Sequence, residues 1–262
     1  MSIDRSLAPP YSIPEKIHLN PPEERVLTNG IPVYYIPFPN IDAIKIEVIF
    51  PIENTKDKAR NSLQPFFMLY MLLEGTKNMD SEKLDDFFDF HASEVDIISG
   101  YERHGLSLLT TKKHLSEVLP VFRSLFTEAV FPEKELKKRK SQKKLSISIK
   151  NEQTSARANQ LIRKSLFENN HPFGYQVTEE DVDAIYQNDL IAYYEKDFLL
   201  SPQIFLTGQL SEEDLNQIEL LFSDLPLSPK TPHLLPTGLV QPSKLLEKKP
   251  GAVQSSIRIA KW

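Results

Sequence analysis

The chain has 262 residues, a formal net charge of −5 and no cysteine, and 40% of its residues are hydrophobic. Such a composition is typical of a globular protein of one to two domains, and it excludes disulfide frameworks, thiolate metal sites and a cysteine nucleophile. The acidic balance disfavours nucleic acid as a partner, and neither a signal peptide nor a membrane-length apolar run is visible, which predicts a cytoplasmic protein without a membrane partner.

Clusters of proline mark the predicted domain boundaries, because proline favours extended arms and linkers over helices and central strands. We predict an extended arm at residues 1–24, a half-domain at 25–225 and a proline-rich linker at 226–250. The alternation of polar and apolar residues in 251–262 predicts the first strand of a second half-domain that is truncated at Trp262.

Between the two proline zones the hydrophobic pattern predicts strands in pairs and helices in runs. In chain order these are a hairpin with an Asn29-Gly30 turn, a half-buried strand at 43–50, a buried helix at 62–73, a helix capped by Asp80 or Ser81, and paired strands at 94–99 and 105–110. An amphipathic helix at 115–129, a helical stretch at 131–167, a helix at 187–198, a strand at 203–207 and a last helix around 215–222 follow. The order indicates an α+β fold, with an antiparallel-rich sheet and helices packed on one face.

None of the six histidines stands at the spacing of H-E-x-x-H or H-x-x-E-H, so the residues show no metal motif. His91 falls on the apolar face of its helix, where a core or boundary role is expected. His104 and His114 flank a strand and are predicted to lie in loops or on the surface. Phosphate-binding glycine loops and the G-x-S-x-G motif are also absent from the sequence.

A dense run of cations could serve as an anion or nucleic-acid face, or as a solvated helix face. It comprises Lys137, Lys138, Arg139, Lys140, Lys143 and Lys144. No aromatic residues interleave with these cations to stack on bases. The solvated helix face is therefore the preferred interpretation.

Several segments in shared order resemble the pitrilysin/insulinase family of zinc metallopeptidases, which includes the mitochondrial processing peptidase subunits. Met71–Asn78 (MLLEGTKN) resembles the M-L-F-K-G-T stretch that follows the family's inverted zinc motif, H-x-x-E-H. Leu27–Val33 (LTNGIPV) resembles its first hairpin, and His171–Gly174 (HPFG) resembles its H-P-y-G segment. The resemblance covers about residues 20–224 and implies a half-domain like those of the mitochondrial processing peptidase.

The same resemblance places residues that cannot bind zinc at every position of the family's metal site. The two zinc-binding histidines correspond to Phe66 and Tyr70, and the catalytic glutamate corresponds to Leu69. The third ligand, a glutamate farther along the chain, falls near 145–148, where the sequence has no acid. The resemblance thus implies that zinc is absent, that the chain has no cofactor or catalytic residue, and that it is no enzyme on its own.

In the family, two half-domains form a clam-like chamber and four halves enclose it. The resemblance therefore implies a non-catalytic subunit, similar to those of two-subunit bacterial and mitochondrial processing peptidases. Such a subunit pairs as a heterodimer with an active subunit that carries H-x-x-E-H, completes its chamber and binds peptide or unfolded polypeptide. The strand expected to pair with peptide consists of Glu94, Val95, Asp96, Ile97, Ile98 and Ser99.

Two other functions stay open at this point. The chain could be a scaffold or binding protein that kept the fold without a peptidase partner. It could also be a hydrolase that uses an unrelated site, which would cleave peptides alone and in the presence of a chelator. Peptidase activity that appears only on mixing with an H-x-x-E-H protein distinguishes the subunit from both.

Overall fold

The computed structural model describes residues 11, 19–52, 63–167, 171–227 and 244–261. These residues form one six-stranded sheet with eight helices, which confirms the predicted α+β class. The strands are β1 (Glu23–Val26), β2 (Pro32–Pro37), β3 (Ala43–Pro51), β4 (Glu94–Ser99), β5 (Arg103–Thr111) and β6 (Gln203–Gly208). The helices are α1 (Leu63–Leu72), α2 (Ser81–Phe90), α3 (Leu115–Thr127), α4 (Glu133–Glu152), α5 (Thr154–Phe167), α6 (Glu179–Asp183), α7 (Gln187–Tyr193) and α8 (Glu212–Phe222).

The sheet is mostly antiparallel, with the strand order β1-β2-β6-β3-β5-β4. Only the β2–β6 pair is parallel among the described strands, because β6 arrives late in the chain and enters between β2 and β3. β4 lies at one edge of the sheet and pairs with β5 alone. This edge position leaves one row of β4 backbone groups without a neighbouring strand in the described part of the chain.

One face of the sheet is buried under helices, and β3 shows why. Its Ile44, Ile46, Val48 and Phe50 are fully buried, whereas Lys45 between them points to the other face. Helices α1 and α3 pack against β5, and α1 and α2 pack against β4. The period-two alternation read from the sequence therefore gives the side of the sheet on which the helices lie.

The first hairpin closes through the predicted turn. Gly30 has a φ of +90°, a backbone conformation that residues with a Cβ rarely adopt. The Asn29 side-chain amide donates to the backbone oxygens of Phe222 and Leu225, at 3.2 and 2.9 Å. The turn thereby ties the hairpin to the end of α8.

The helical stretch predicted at 131–167 is two helices rather than one. Gln153 lies between α4 and α5 in an extended conformation, with φ −89° and ψ 123°. The residues around the break, Asn151, Thr154 and Ser155, have short polar side chains that compete with helical backbone hydrogen bonds. The apolar period alone did not reveal this break.

The predicted domain boundaries fall partly on residues outside the described ones, namely most of the arm at 1–24 and residues 228–243 of the linker. Strand β1 already includes Glu23 and Glu24. Residues 244–261 have no regular secondary structure and contact α5 through an Arg157–Glu247 pair and an Arg258–Asn159 hydrogen bond. A second half-domain that begins at 251–262 stays a prediction.

Candidate functional site

The three positions that correspond to the zinc motif lie on α1, which packs against β4 and β5. Phe66 and Tyr70 are one helical turn apart on a half-buried face, and their ring centroids are 4.6 Å from each other. Leu69 is fully buried in the core. The structure thus brings Phe66 and Tyr70 together and directs Leu69 away from solvent.

Helix α4 places two cations over these rings. The Lys143 ammonium nitrogen is 3.7 Å from the centroid of Phe66, and the Arg139 guanidinium carbon is 5.0 Å from the centroid of Tyr70. The face of an aromatic ring carries partial negative charge and attracts a cation. Phe66 and Tyr70 are four residues apart on α1, and Arg139 and Lys143 are four residues apart on α4. Each pair therefore lies on one face of its helix, and the two faces contact each other.

The Arg139 cation also pairs with a buried carboxylate. Its Nε donates a short hydrogen bond to Glu74, whose side chain is only 2% exposed. Glu74 follows α1 directly, so this ion pair fixes the end of α1 against α4. A buried carboxylate requires such a partner, because its unpaired charge would be costly in an apolar surrounding.

The surroundings of the Lys143 ammonium group disfavour its charged form. Burial lowers the pKa of Lys143 to about 8, and the positive charge of Lys150 on the same helix adds to this effect. The Phe66 ring acts in the opposite direction because it attracts the charged form. The amine is therefore a partly desolvated cation that the ring stabilises.

The residues at this site do not fit a zinc ion. Structural and catalytic zinc sites use imidazole, thiolate or carboxylate ligands. Phe66 and Leu69 have no ligand atom, and the facing cations Lys143 and Arg139 would repel a divalent ion. The absence of zinc from the chain is nonetheless a prediction that only a metal measurement tests.

The rest of the basic run has structural partners, which agrees with the preferred interpretation of a helix face. Lys137 pairs with Glu133 at 2.9 Å and Lys138 with Glu135 at 3.2 Å. Lys140 donates to the backbone oxygens of Asp183 and Ile185, and Lys144 pairs with the Asp183 carboxylate. The run therefore attaches α4 to α1 and α6.

The strand expected to pair with peptide, Glu94–Ser99, is β4 at the sheet edge. Val95 and Ile97 pack against the core, whereas Glu94, Asp96 and Ser99 are exposed. Glu94 and Val95 also line a cavity of about 520 Å³ that Asp85 and Asp89 of α2 border. The strand therefore offers an open backbone edge beside a concave, acidic surface.

One of the three histidines considered in the sequence lies in another place than expected, and His91 lies where it was expected. His104 lies in β5 and is only 1% exposed, so the expectation of a loop or surface position is wrong. It packs among the rings of Phe50, Tyr193 and Phe198. His91 lies at the C-terminal end of α2 as a half-buried boundary residue, and its imidazole meets that of His114.

The sequence pattern does not mark Lys143 and Arg139 as parts of the site. Their run was interpreted as a solvated face, and only the packing of α4 on α1 shows that two of its members cover aromatic rings. The available signal was the equal i, i+4 spacing of Phe66/Tyr70 and Arg139/Lys143. That spacing does not reveal which helices pack together.

Sequence comparison relates the chain to one curated protein, while no protein-family model matches it. It is 22% identical over 224 residues to an uncharacterized zinc protease, YmxG, of Bacillus subtilis. The match covers 84% of this chain and 53% of that protein. The chain therefore spans about half the length of this relative.

Solved structures with the same fold include those of three peptidases or peptidase-like proteins. A peptidase M16 inactive domain from Pseudomonas fluorescens has a TM-score of 0.69 and 17% identity, over 80% of this chain and 52% of that one. A protease from Helicobacter pylori has a TM-score of 0.67 and 14% identity, over 82% of this chain and 54% of that one. An M16-like peptidase from Alicyclobacillus acidocaldarius has a TM-score of 0.65 and 15% identity, over 81% of this chain and 52% of that one. These similarities confirm the resemblance to pitrilysin/insulinase-type peptidases, and the chain shares its fold with these M16 peptidase structures.

Proposed function

We propose that this chain is a non-catalytic subunit, without zinc at the H-x-x-E-H positions, that binds peptide and completes the chamber of an active H-x-x-E-H partner. The observation that carries the proposal is the cation–aromatic cluster between α1 and α4. Phe66 and Tyr70 stand where the family has histidines, and Lys143 and Arg139 lie over them. A metal-activated water has no ligand set at this place.

The intact packing around the cluster supports a retained structural role. Leu69 and its neighbours Met68, Met71 and Leu72 are fully buried, and Glu74 is paired with Arg139. A subunit that completes a chamber needs α1 to stay folded and packed on the sheet, even without a metal ion. Here α1 stays docked on the sheet beside β4, as peptide binding along that strand requires.

The edge position of β4 supports peptide binding by strand addition. An extended peptide can add to an exposed sheet edge through main-chain hydrogen bonds, while neighbouring concave surfaces take its side chains. β4 offers such an edge and the adjoining cavity with Asp85, Asp89 and Glu94. The acidic rim favours peptides that carry basic residues near the start of β4.

The test of the peptide site uses proline, which removes one backbone donor. Alternate residues of a strand direct their N–H groups to opposite neighbours, so Asp96 and Ser99 donate in opposite directions. Both side chains are exposed, so their loss costs little packing. Of Asp96→Pro and Ser99→Pro, we expect the one whose N–H faces the open edge to fold and to lose binding of fluorescein-labelled casein.

Matched controls are Asp96→Ala and Ser99→Ala, which keep the N–H groups. We expect both to bind casein as the wild type does, with unchanged circular dichroism. If both proline variants fold and bind casein like the wild type, peptide does not pair along β4.

The test of the partner role is co-purification from the native host, followed by reconstitution. We expect a tagged chain to retain a protein that carries H-x-x-E-H, and casein cleavage to appear only on mixing the two purified proteins. A scaffold would retain no such protein. A hydrolase with an unrelated site would cleave casein alone, in the presence of EDTA.

A further inference from the structure

A second group of potential ligands lies on α2 and α3, outside the positions that correspond to the zinc motif. His91 Nε2 is 3.2 Å from Glu117 Oε2, and His114 Nδ1 is 3.3 Å from the same oxygen. The ligand atoms of the three residues all lie within 4.8 Å of one another. Two imidazoles and one carboxylate thus converge on one point.

The backbone sets the hydrogen position on His91. Its Nδ1 is 2.8 Å from the backbone oxygen of Phe87. A carbonyl oxygen only accepts, so Nδ1 carries a hydrogen and donates it. In the neutral imidazole, the other nitrogen, Nε2, then presents a lone pair.

That lone pair faces the Glu117 carboxylate oxygen, which is also an acceptor. Two acceptors 3.2 Å apart require a cation between them, either a proton that makes His91 an imidazolium or a metal ion. An Nδ1–H that donates to a backbone carbonyl is the usual outer-shell arrangement of a metal-bound histidine. The backbone therefore orients His91 as a metal ligand.

Two of the three ligand–ligand distances fit a tetrahedral first-row metal, and the third, between the two imidazole nitrogens, is within 4.8 Å. Zinc binds histidine nitrogen and carboxylate oxygen at about 2.0–2.2 Å, which places neighbouring ligands of a tetrahedron about 3.4 Å apart. The two nitrogen–oxygen distances, 3.2 and 3.3 Å, match this edge length. Imidazole and carboxylate together favour Zn²⁺ over Ca²⁺ or Mg²⁺.

The location gives the group a structural consequence. His91 lies three residues before the first residue of β4, and His114 follows β5 after a short turn. A metal held by both would join the two ends of the β4–β5 hairpin at its open end. The Glu117 ligand would connect this clamp to α3.

We infer that His91, His114 and Glu117 form a zinc site with three protein ligands and one position open to water. The site fixes the base of the β4–β5 hairpin. It is independent of the proposed function, because it uses none of the residues between α1 and α4. This inference departs from the expectation that the chain has no zinc and no cofactor. That expectation rested on the H-x-x-E-H positions, which this site does not include.

Equilibrium dialysis of the full chain against ZnCl₂, followed by metal analysis, tests the inference. We expect about one zinc per chain in the wild type, and binding at least about tenfold weaker in Glu117→Gln and His91→Gln. The matched control is His171→Gln, which removes a histidine from another part of the fold and should bind zinc normally. The Glu117 side chain is 59% exposed, so Glu117→Gln should fold.

Thermal unfolding gives a second readout that does not depend on stoichiometry. Zinc should raise the melting temperature of the wild type and of His171→Gln, and leave that of Glu117→Gln unchanged. The inference is overturned if the wild type binds zinc no more tightly than Glu117→Gln. Zinc that is lost in Tyr70→Phe and kept in Glu117→Gln would instead contradict the proposed function.

Discussion

Phe66, Tyr70, Lys143 and Arg139 form one contact cluster between α1 and α4. Without a group packed over them, the faces of the Phe66 and Tyr70 rings would be exposed to water. The α4 cations cover them, and Glu74 neutralises one of these cations. The cluster thus holds α1 against α4 without a metal ion. Arg139 contributes through packing and charge, and Lys143 contributes through the packing of its side chain.

Restoring the histidines alone should not restore zinc binding. We predict that Phe66→His/Tyr70→His binds no zinc at this site, because the Lys143 ammonium remains beside it. Adding Lys143→Glu should create a third ligand and yield one zinc per chain. The measurement is zinc dialysis in a Glu117→Gln background, which removes the histidine site on α2 and α3. Equal zinc binding by the double and triple variants would contradict the role given to Lys143.

The buried Glu74–Arg139 pair should contribute strongly to stability. Glu74→Ala leaves Arg139 without its carboxylate in a mostly buried place and should lower the free energy of unfolding by about 2–3 kcal/mol. The control, Glu133→Ala, breaks the exposed Lys137–Glu133 pair and should cost less than about 1 kcal/mol. Urea denaturation measures both. Similar losses in the two variants would show that burial of Glu74 adds nothing.

The lowered pKa of Lys143 predicts a pH dependence of stability. Between the folded value of about 8 and the unfolded value near 10.5, the unfolded chain binds more protons, so stability rises with pH. Below pH 8 the full cost of the charged amine is present. Lys143→Met should therefore be more stable than the wild type at pH 7 by about 1–2 kcal/mol, reduced by partial exposure.

The advantage of Lys143→Met should shrink as the pH rises from 8 to 10. Urea denaturation at pH 7 and pH 10 measures it, with Lys144→Met, a neighbour on the same helix, as the control. An advantage that is the same at both pH values would mean that the amine does not titrate in this window.

At the scale of the elements, the sequence predicted most strands and helices because one face of each is buried. The alternation in β3 and the Asn29-Gly30 turn are local signals, and the structure follows them. The break at Gln153 and the burial of His104 were not predicted. The burial of His104 depends on neighbours far along the chain, since β3 and α7 supply rings around it.

The β3–β5 contact makes Gly105 intolerant of any side chain. A Cβ at this position would lie 2.0 Å from the backbone oxygen of Val48, in the register of the paired strands. Gly105→Ala should lower the free energy of unfolding by about 3 kcal/mol or more. Ser107→Ala, two residues along the same face of β5, should cost about 1 kcal/mol. Thermal unfolding compares them, and equal melting temperatures would contradict the close approach.

At the scale of the whole molecule, the resemblance to the family predicted the sheet, which the structure confirms, and it also predicted which positions correspond to the zinc motif. Packing was needed for the rest of the site, because Lys143 is 77 positions from Phe66 and no local pattern links them. The three residues of the His91 group are likewise spread over two helices and a turn. In the part of the chain that the structure describes, no helix is long and apolar enough to cross a membrane.

The central claim is that the α1–α4 cluster replaces a zinc site and leaves the chain without peptidase activity of its own. The direct test is hydrolysis of fluorescein-labelled casein by the purified chain with one equivalent of ZnCl₂, with and without EDTA. We predict no cleavage above buffer in either condition. Cleavage that requires zinc and is lost in Tyr70→Phe would contradict the claim, and so would cleavage that persists in EDTA.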